Sequence, residues 1–280
     1  MKYFIIDNFI DESFCNQLIE ASDAQNDNKD KTDMHGGRQF LSSTTLQFYE
    51  LLNHSKDWKN LENKLNSQQF LDYCLNKLEI KKKFSLVNFF KSRHLTEFQK
   101  LYKKLGSTRS RLIPTKSLVM YSFTRILKDV LRKIRFLKIF YPSKSAVELL
   151  FDYSKAGNGY SRSIHRDSDH RLVVFILYLN SPSKSDQHKG GNFDIYNLVN
   201  GNKSVTHPDE KDCKKIESIK PGSGKLVVFL NEDNSFHGVE KMTDHIEFRH
   251  FIYGGFTLLN EKNPYIINQS KINTEFHLYD

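Results

Sequence analysis

Apolar positions along this chain follow two periods, and the change from one to the other falls near Pro142. Before it the spacing is helical. Trp58, Leu61 and Leu65, then Phe70, Leu71, Cys74, Leu75 and Leu78, recur at three and four residues and so form one stripe. Residues 43–52 and 57–80 are therefore expected to be helices that cover a sheet. A second stripe runs through 123–139. Phe123, Ile126, Leu127, Val130, Ile134 and Leu137 share one face, while Arg125, Lys128, Arg132 and Arg135 share the other. At the start of the chain, residues 2–6 (KYFII) have strand character, and Asp11 is placed to cap a helix over 12–21. Residues 23–37 are polar with two glycines and read as a loop.

After Pro142 the pattern is that of strands. Residues 146–153 form the first, and 156–161 a glycine-containing turn. Residues 172–179 (LVVFILYL) are apolar on both faces, as in a central buried strand. Residues 192–198 alternate, and 199–213 are polar and loop-like. Residues 215–219 and 225–230 flank Pro221-Gly222-Ser223-Gly224, which predicts a hairpin. Strands over 236–239 and 245–258 complete the set. Many short strands with turn signals between them predict a sandwich or barrel. The expected organisation is one globular unit: an N-terminal strand with supporting helices over 1–80, a basic cover over 81–145, a β core over 146–260 and a C-terminal extension over 261–280.

Composition narrows the class. Charged residues are 27% and apolar ones 38% of 280 residues, ordinary for a globular chain and too apolar for a disordered one. The longest apolar run, eight residues at 172–179, is far short of the roughly 20 that a membrane-spanning helix needs. No signal peptide is legible before Asp7, and Cys15, Cys74 and Cys213 form no CxxC pair, so a reducing cytoplasm is the expected location. The charge is uneven. Residues 81–140 hold 17 Lys and Arg against Glu97 and Asp129, a local +15 within a total of +9, which leaves −6 for the remainder. That segment reads as a wet basic helix face, a contact for an anionic substrate or other polyanion, or a membrane-surface helix. No strong nucleic-acid motif accompanies it.

The candidate chemistry lies between 153 and 256. A single His-x-Asp is weak, since 11 histidines supply roughly one by chance. A second copy, His207-Pro208-Asp209, runs into a charged stretch and reads as a surface loop, because Pro208 argues against a sheet interior. His165-Arg166-Asp167 instead precedes the buried strand. In extended chain, residues i and i+2 share a face, so His165 and Asp167 can point into one cavity while Arg166 points away. His237, 72 residues on, supplies a third ligand from a distant strand. Two imidazoles and a carboxylate on one face of an iron(II) leave three positions open, enough for a bidentate 2-oxo acid and dioxygen. Arg249 lies in an apolar strand and needs an anionic partner, either the far carboxylate of that co-substrate or Glu247 two residues away. His245-Ile246-Glu247 is a rival carboxylate motif without a following core strand. His170, His188 and His250 read as structural or surface residues, His250 facing away from Arg249.

The order of these elements resembles the prolyl hydroxylase branch of the 2-oxoglutarate/iron(II) dioxygenases. The likeness rests on Tyr153-x-x-x-Gly157-Asn158-Gly159-Tyr160 before His165-x-Asp167, LYLN after it, Gly190-Gly191, PGSGKLVVF and FHGV, with MKYFIIDNFIDESFCNQLI as the opening strand and helix. It implies a mainly β fold with flanking helices (α+β): a double-stranded β-helix, or jelly-roll, cupin-like barrel, behind an N-terminal helical layer. It implies His165, Asp167 and His237 as catalytic iron ligands and Arg249 as the 2-oxoglutarate anchor, with Tyr178 sharing that anchor and Tyr153 lining the pocket. The implied cofactors are Fe(II), 2-oxoglutarate and O2, with ascorbate as an accessory reductant. The implied reaction is hydroxylation of an unactivated C–H bond of a peptidyl, amino-acid or glycan/lipid substrate, with release of succinate and CO2. Asp167 sets the chain apart from related halogenases, which lack that carboxylate. Oxidative demethylation, of nucleic acid for example, and a non-catalytic jelly-roll binding module are the alternatives.

Overall fold

The computed structural model describes residues 1–25, 37–43, 46–87, 145–181, 189–202, 204–244, 247–259 and 261–267. The chain opens with β1 (Tyr3–Ile6) and α1 (Glu12–Gln25). Asp11 caps α1 as its position suggested, its Oδ1 accepting from the Phe14 amide at 2.7 Å. Then come β2 (Arg38–Ser42), α2 (Leu46–His54), α3 (Lys56–Leu65), α4 (Gln68–Lys77) and β3 (Ser85–Leu86). The helical stretch foreseen over 57–80 is two helices. Ser67 breaks it, because its hydroxyl accepts from the Phe70 amide and starts α4 afresh, as Ser55 does for α3. The basic 123–139 helix and the His245-Ile246 half of the rival carboxylate motif lie outside the described residues.

Eight strands then build the core: β4 (Ala146–Ala156), β5 (Arg162–His165), β6 (Arg171–Tyr178), β7 (Phe193–Leu198), β8 (Cys213–Ile219), β9 (Leu226–Leu230), β10 (Phe236–Val239) and β11 (Arg249–Leu258). They pair into a large sheet ordered β1-β9-β6-β11-β4-β2 and a small one ordered β5-β10-β7-β8. Within the barrel every pairing is antiparallel, and β3 adds to β4 in parallel. Successive strands alternate between the sheets except at β7–β8, which form a hairpin inside the small sheet. That winding is a double-stranded β-helix.

One expectation fails. Pro221-Gly222-Ser223-Gly224 does not close a hairpin: β8 pairs with β7, and β9 pairs with β1 and β6, so the turn carries the chain from one sheet to the other. A turn signal reports a local bend and says nothing of what its flanks pair with. Gly224 is required there, with φ +73° and its Cα against the Ile10 carbonyl.

The large sheet is buried on both sides, which is why 172–179 is apolar throughout. Its outer face packs on α1–α4 through Trp58, Leu61, Phe70, Leu71, Phe151, Tyr153, Phe175 and Phe256. Trp58 spans this layer, its Nε1 donating to the Leu18 carbonyl at 2.8 Å. The inner face meets the small sheet through Val174, Ile176, Tyr178, Phe193, Ile195, Val227, Phe229 and Phe251. Helices and sheet thus share one core. Among the described residues no helix is long and apolar enough to cross a membrane.

Candidate metal and co-substrate site

Inside the barrel, β5 ends at His165, Asp167 follows it, and β10 lies alongside with His237 directly opposite His165. The two imidazole rings lie 4.3 Å apart between centroids, and His237 Nε2 is 3.7 Å from Asp167 Oδ2. The three candidate ligand atoms all fall within 4.8 Å of one another. Each imidazole is oriented from behind. His165 Nδ1 donates to the Ser163 carbonyl at 2.8 Å and His237 Nδ1 to the Ser235 carbonyl at 2.9 Å, so both rings offer Nε2 as a free lone pair.

The electrostatics suit a cation. Burial, then the neighbouring His237, hold His165 well below the usual imidazole range. Burial also lowers His237. Burial alone would raise Asp167, but the neighbouring His237, Arg171 and His165 and the Tyr253 hydroxyl bring it below its usual value. Two neutral imidazoles and a carboxylate are therefore the resting forms. Asp167 Oδ2 and His237 Nε2 are enclosed without a hydrogen-bond partner among the described residues, a costly state that one metal ion would relieve. The residues present fit iron(II).

Arg166 points away from the cavity but not into solvent. Its guanidinium is fully buried, with Nη2 3.3 Å from Asp169 and Nη1 3.4 Å from Asp233, which locks the loop that carries Asp167. His207, expected on a plain surface loop, is exposed, but its ring lies parallel to that of His165 at 5.8 Å. The loop returns there because the Arg166 amide donates to the Thr206 carbonyl at 2.8 Å.

Arg249 begins β11 on the barrel's inner face, buried, with Tyr178 and Tyr160 around its guanidinium. Burial lowers its pKa, and the two phenols oppose that shift. Nη1 donates to the Gly191 carbonyl, and Nη2 is enclosed with no partner among the described residues. Glu247 is exposed and outside the strand, so it does not fill the role of Arg249's anion. Gly191, at φ +78°, lets the backbone pass directly against this guanidinium, and Gly190, at the same φ, lies against the Lys241 carbonyl.

Tyr153 corrects the sequence reading. It does not line the pocket. In β4 it is paired with Ile252, on the opposite face of the sheet from Arg249, where it packs edge-on to Trp58 and its hydroxyl is 2.7 Å from His250 Nδ1. Strand alternation settles the matter: β4 offers Asp152, Ser154 and Ala156 to the inside. His250 pairs with Tyr153 on that outer face and is buried there.

Sequence reading had passed over four inner-face residues. Tyr253, four residues beyond Arg249 and so on its face, donates to Asp167 Oδ1. Tyr160 closes the Gly-Asn-Gly-Tyr motif, and Arg171 and Arg38 flank Tyr253 with their Cζ atoms 4.9 and 5.9 Å from its ring centroid. Alternation along 249–253 was signal enough for Tyr253. Arg38 comes from β2, whose place at the barrel edge is legible only in three dimensions.

The 2OG-Fe(II) oxygenase superfamily model matches residues 151–254, the segment from β4 to β11 that contains all these groups. No curated protein gives a significant match. Among solved structures, a Pseudomonas putida prolyl-4-hydroxylase is similar at 15% identity over 92% of this chain and 93% of its own, with a TM-score of 0.41. A prolyl 4-hydroxylase from Phytophthora capsici is similar at 12% over 94% and 61%, TM-score 0.49, and a prolyl hydroxylase from Trichoplax adhaerens at 12% over 92% and 84%, TM-score 0.42. The strand order itself carries the fold. Residues 151–254 are a 2OG-Fe(II) oxygenase core. The protein is an enzyme of that class, whose metal is Fe(II) and whose co-substrates are 2-oxoglutarate and dioxygen.

Proposed function

We propose that the protein hydroxylates an unactivated C–H bond of its prime substrate, with His165, Asp167 and His237 as the iron ligands and Arg249 as the anchor of the 2-oxoglutarate far carboxylate. The observation that carries this reading is the set of enclosed polar atoms in one barrel. Among the described residues, Asp167 Oδ2 and His237 Nε2 lack a hydrogen-bond partner at one end, and Arg249 Nη2 lacks one deeper in. Arg249, Phe251 and Tyr253 are successive inner-face positions of β11, so Arg249 and Tyr253 lie about 13 Å apart along the strand. A dicarboxylate held by Arg249 must extend in that direction to reach the triad.

When bound, the metal supplies oxidative decarboxylation of the 2-oxo acid and the oxidant for the C–H bond. The protein's own residues do the positioning. Ser163 and Ser235 carbonyls hold the imidazoles in one tautomer, Tyr253 holds Asp167 Oδ1, and Tyr178 and Tyr160 crowd the guanidinium that takes the carboxylate. The apolar walls Phe193, Phe229 and Phe251 keep water from the space between. A peptidyl, amino-acid or glycan/lipid substrate fits this chemistry, as does the prolyl hydroxylase resemblance.

The test is succinate formation from 2-oxoglutarate with Fe(II) in wild type, His165→Ala and Arg249→Ala, without a prime substrate. Slow turnover lost in both variants supports the reading. A wild type that binds neither the metal nor 2-oxoglutarate refutes it.

A further inference from the structure

Resting on that reading of the site, we infer that Asn263, in the segment after the last strand, is a positioning residue for the metal. Its side chain ties together the two crossovers that carry Asp167 and His237. The chain passes from the small sheet to the large one at 166–170, between β5 and β6, and back at 231–235, between β9 and β10. β5 pairs with β10 and β6 with β9, so the two crossovers run side by side at one end of the barrel. Each bears a ligand at its small-sheet end: Asp167 lies within the first, and His237 follows directly after the second. The ladder between β6 and β9 stops at the Asn231 amide, which donates to the Leu172 carbonyl at 3.0 Å. From there to the His165–His237 pair, the crossovers meet through side chains. Asn231 Nδ2 reaches the Ser168 carbonyl at 2.9 Å, and Arg166 Nη1 lies 3.4 Å from Asp233 Oδ1.

Asn263 reaches both crossovers from outside the barrel. Fully buried, it donates from Nδ2 to the Arg171 carbonyl at 2.6 Å and to the Asn231 carbonyl at 2.5 Å. The two N–H bonds of one primary amide thus go to opposite crossovers. Its Oδ1 accepts from the Tyr265 amide at 2.9 Å, and its own amide donates to the Asp169 carbonyl at 2.7 Å. Buried Ile266 and the Lys262 ammonium, 3.6 Å from Asp169 Oδ2, seat the segment. From these anchor points the contacts run on to the ligands. On one side Asp169 Oδ1 lies 3.3 Å from Nη2 of Arg166, the neighbour of Asp167. On the other, Asn231 Oδ1 accepts from Ser235 Oγ at 2.9 Å, and the Ser235 carbonyl accepts from His237 Nδ1 at 2.9 Å. A paired, buried amide of this kind specifies one geometry. An apolar replacement takes the shared donor from both carbonyls, and a carboxylate sets an acceptor against them. His237 Nε2 and Asp167 Oδ2 are 3.7 Å apart, so a slip of one crossover along the other changes the gap that a metal must bridge.

The experiment separates positioning from general support of the fold. The full chain is titrated calorimetrically with Mn(II), then with 2-oxoglutarate at saturating Mn(II), as wild type, Asn263→Asp and Asn263→Ala. Asn263→Ala deletes both donors without adding a charge and covers the case in which Asn263→Asp does not fold. Leu61→Ala is the control: it opens a cavity in the helical layer, on the other side of the large sheet, and loses stability without touching either crossover. Melting temperatures of the metal-free proteins show how much each variant loses. The expected result is Mn(II) binding at least about tenfold weaker in the Asn263 variants and within about twofold of wild type in Leu61→Ala. At saturating Mn(II), 2-oxoglutarate affinity stays within about twofold of wild type in all of them, because Arg249 is not part of this network. Wild-type Mn(II) affinity in the Asn263 variants would overturn the inference. So would an equal loss in Leu61→Ala, or loss of 2-oxoglutarate affinity alongside that of Mn(II), since either would make Asn263 a support of the whole barrel. Failure of the wild type to bind Mn(II) and 2-oxoglutarate at all would instead strike the proposed function beneath it.

Discussion

At the scale of single residues, the candidate ligand set is held by groups outside it. Tyr253 fixes one oxygen of Asp167 and leaves the other aimed at His237. Removing such an outer partner commonly costs one to two orders of magnitude in metal affinity. Tyr253→Phe is therefore expected to bind Mn(II) roughly tenfold more weakly than wild type in a calorimetric titration, with the fold intact. His250 makes a different prediction. Burial depresses its pKa to about 4, so the folded protein keeps it neutral against Tyr153 while the unfolded chain protonates it near 6.5. A folded value below the unfolded one means stability is fully present above the unfolded pKa and is lost as pH falls towards the folded one. The loss through this residue is about 3 kcal/mol across that window. Urea midpoints should fall more steeply between about pH 7 and about pH 4 in wild type than in His250→Gln. Equal slopes would refute the assignment.

At the scale of elements, each functional side chain owes its direction to strand alternation. His165 and His237 face each other because β5 and β10 are in register at those two residues. Arg249 and Tyr253 share a face because four residues separate them in β11. The Gly190-Gly191 link belongs to the same construction. A Cβ on Gly191 would run into the Arg249 guanidinium, and one on Gly190 into the Lys241 carbonyl. Gly191→Ala is expected to weaken 2-oxoglutarate binding by at least roughly tenfold while Mn(II) affinity stays within about twofold, because the obstruction lies at the anchor and not at the triad. Loss of both affinities together would show that the link supports the whole barrel instead.

At the scale of the whole molecule, two layers of packing enclose a polar interior. The helical layer and the outer face of the large sheet form one core, the two sheets enclose another, and the enclosed triad oxygen and nitrogen sit in the second. A metal that binds only the folded state stabilises it by mass action, about 2.7 kcal/mol at a hundredfold excess over its dissociation constant. For a chain of this size the melting temperature should rise by roughly 5–10 °C with Mn(II) and fall back on chelation. His165→Ala should show no such rise.

Periodicity, turn chemistry and ligand spacing made the helical layer, the strand-rich core and the His165, Asp167, His237 and Arg249 set legible in the sequence, because each is a local pattern or an order along the chain. The two-sheet winding decided what local pattern cannot. It sent the Pro-Gly turn across the barrel, since pairing partners are chosen by the closure of the whole sheet. It turned Tyr153 outward and Tyr253 inward, since a face is inner or outer only once the second sheet is in place. And it gathered Arg38 from β2 and Arg171 from β6 around one tyrosine, a meeting of residues more than a hundred positions apart that no spacing along the chain records.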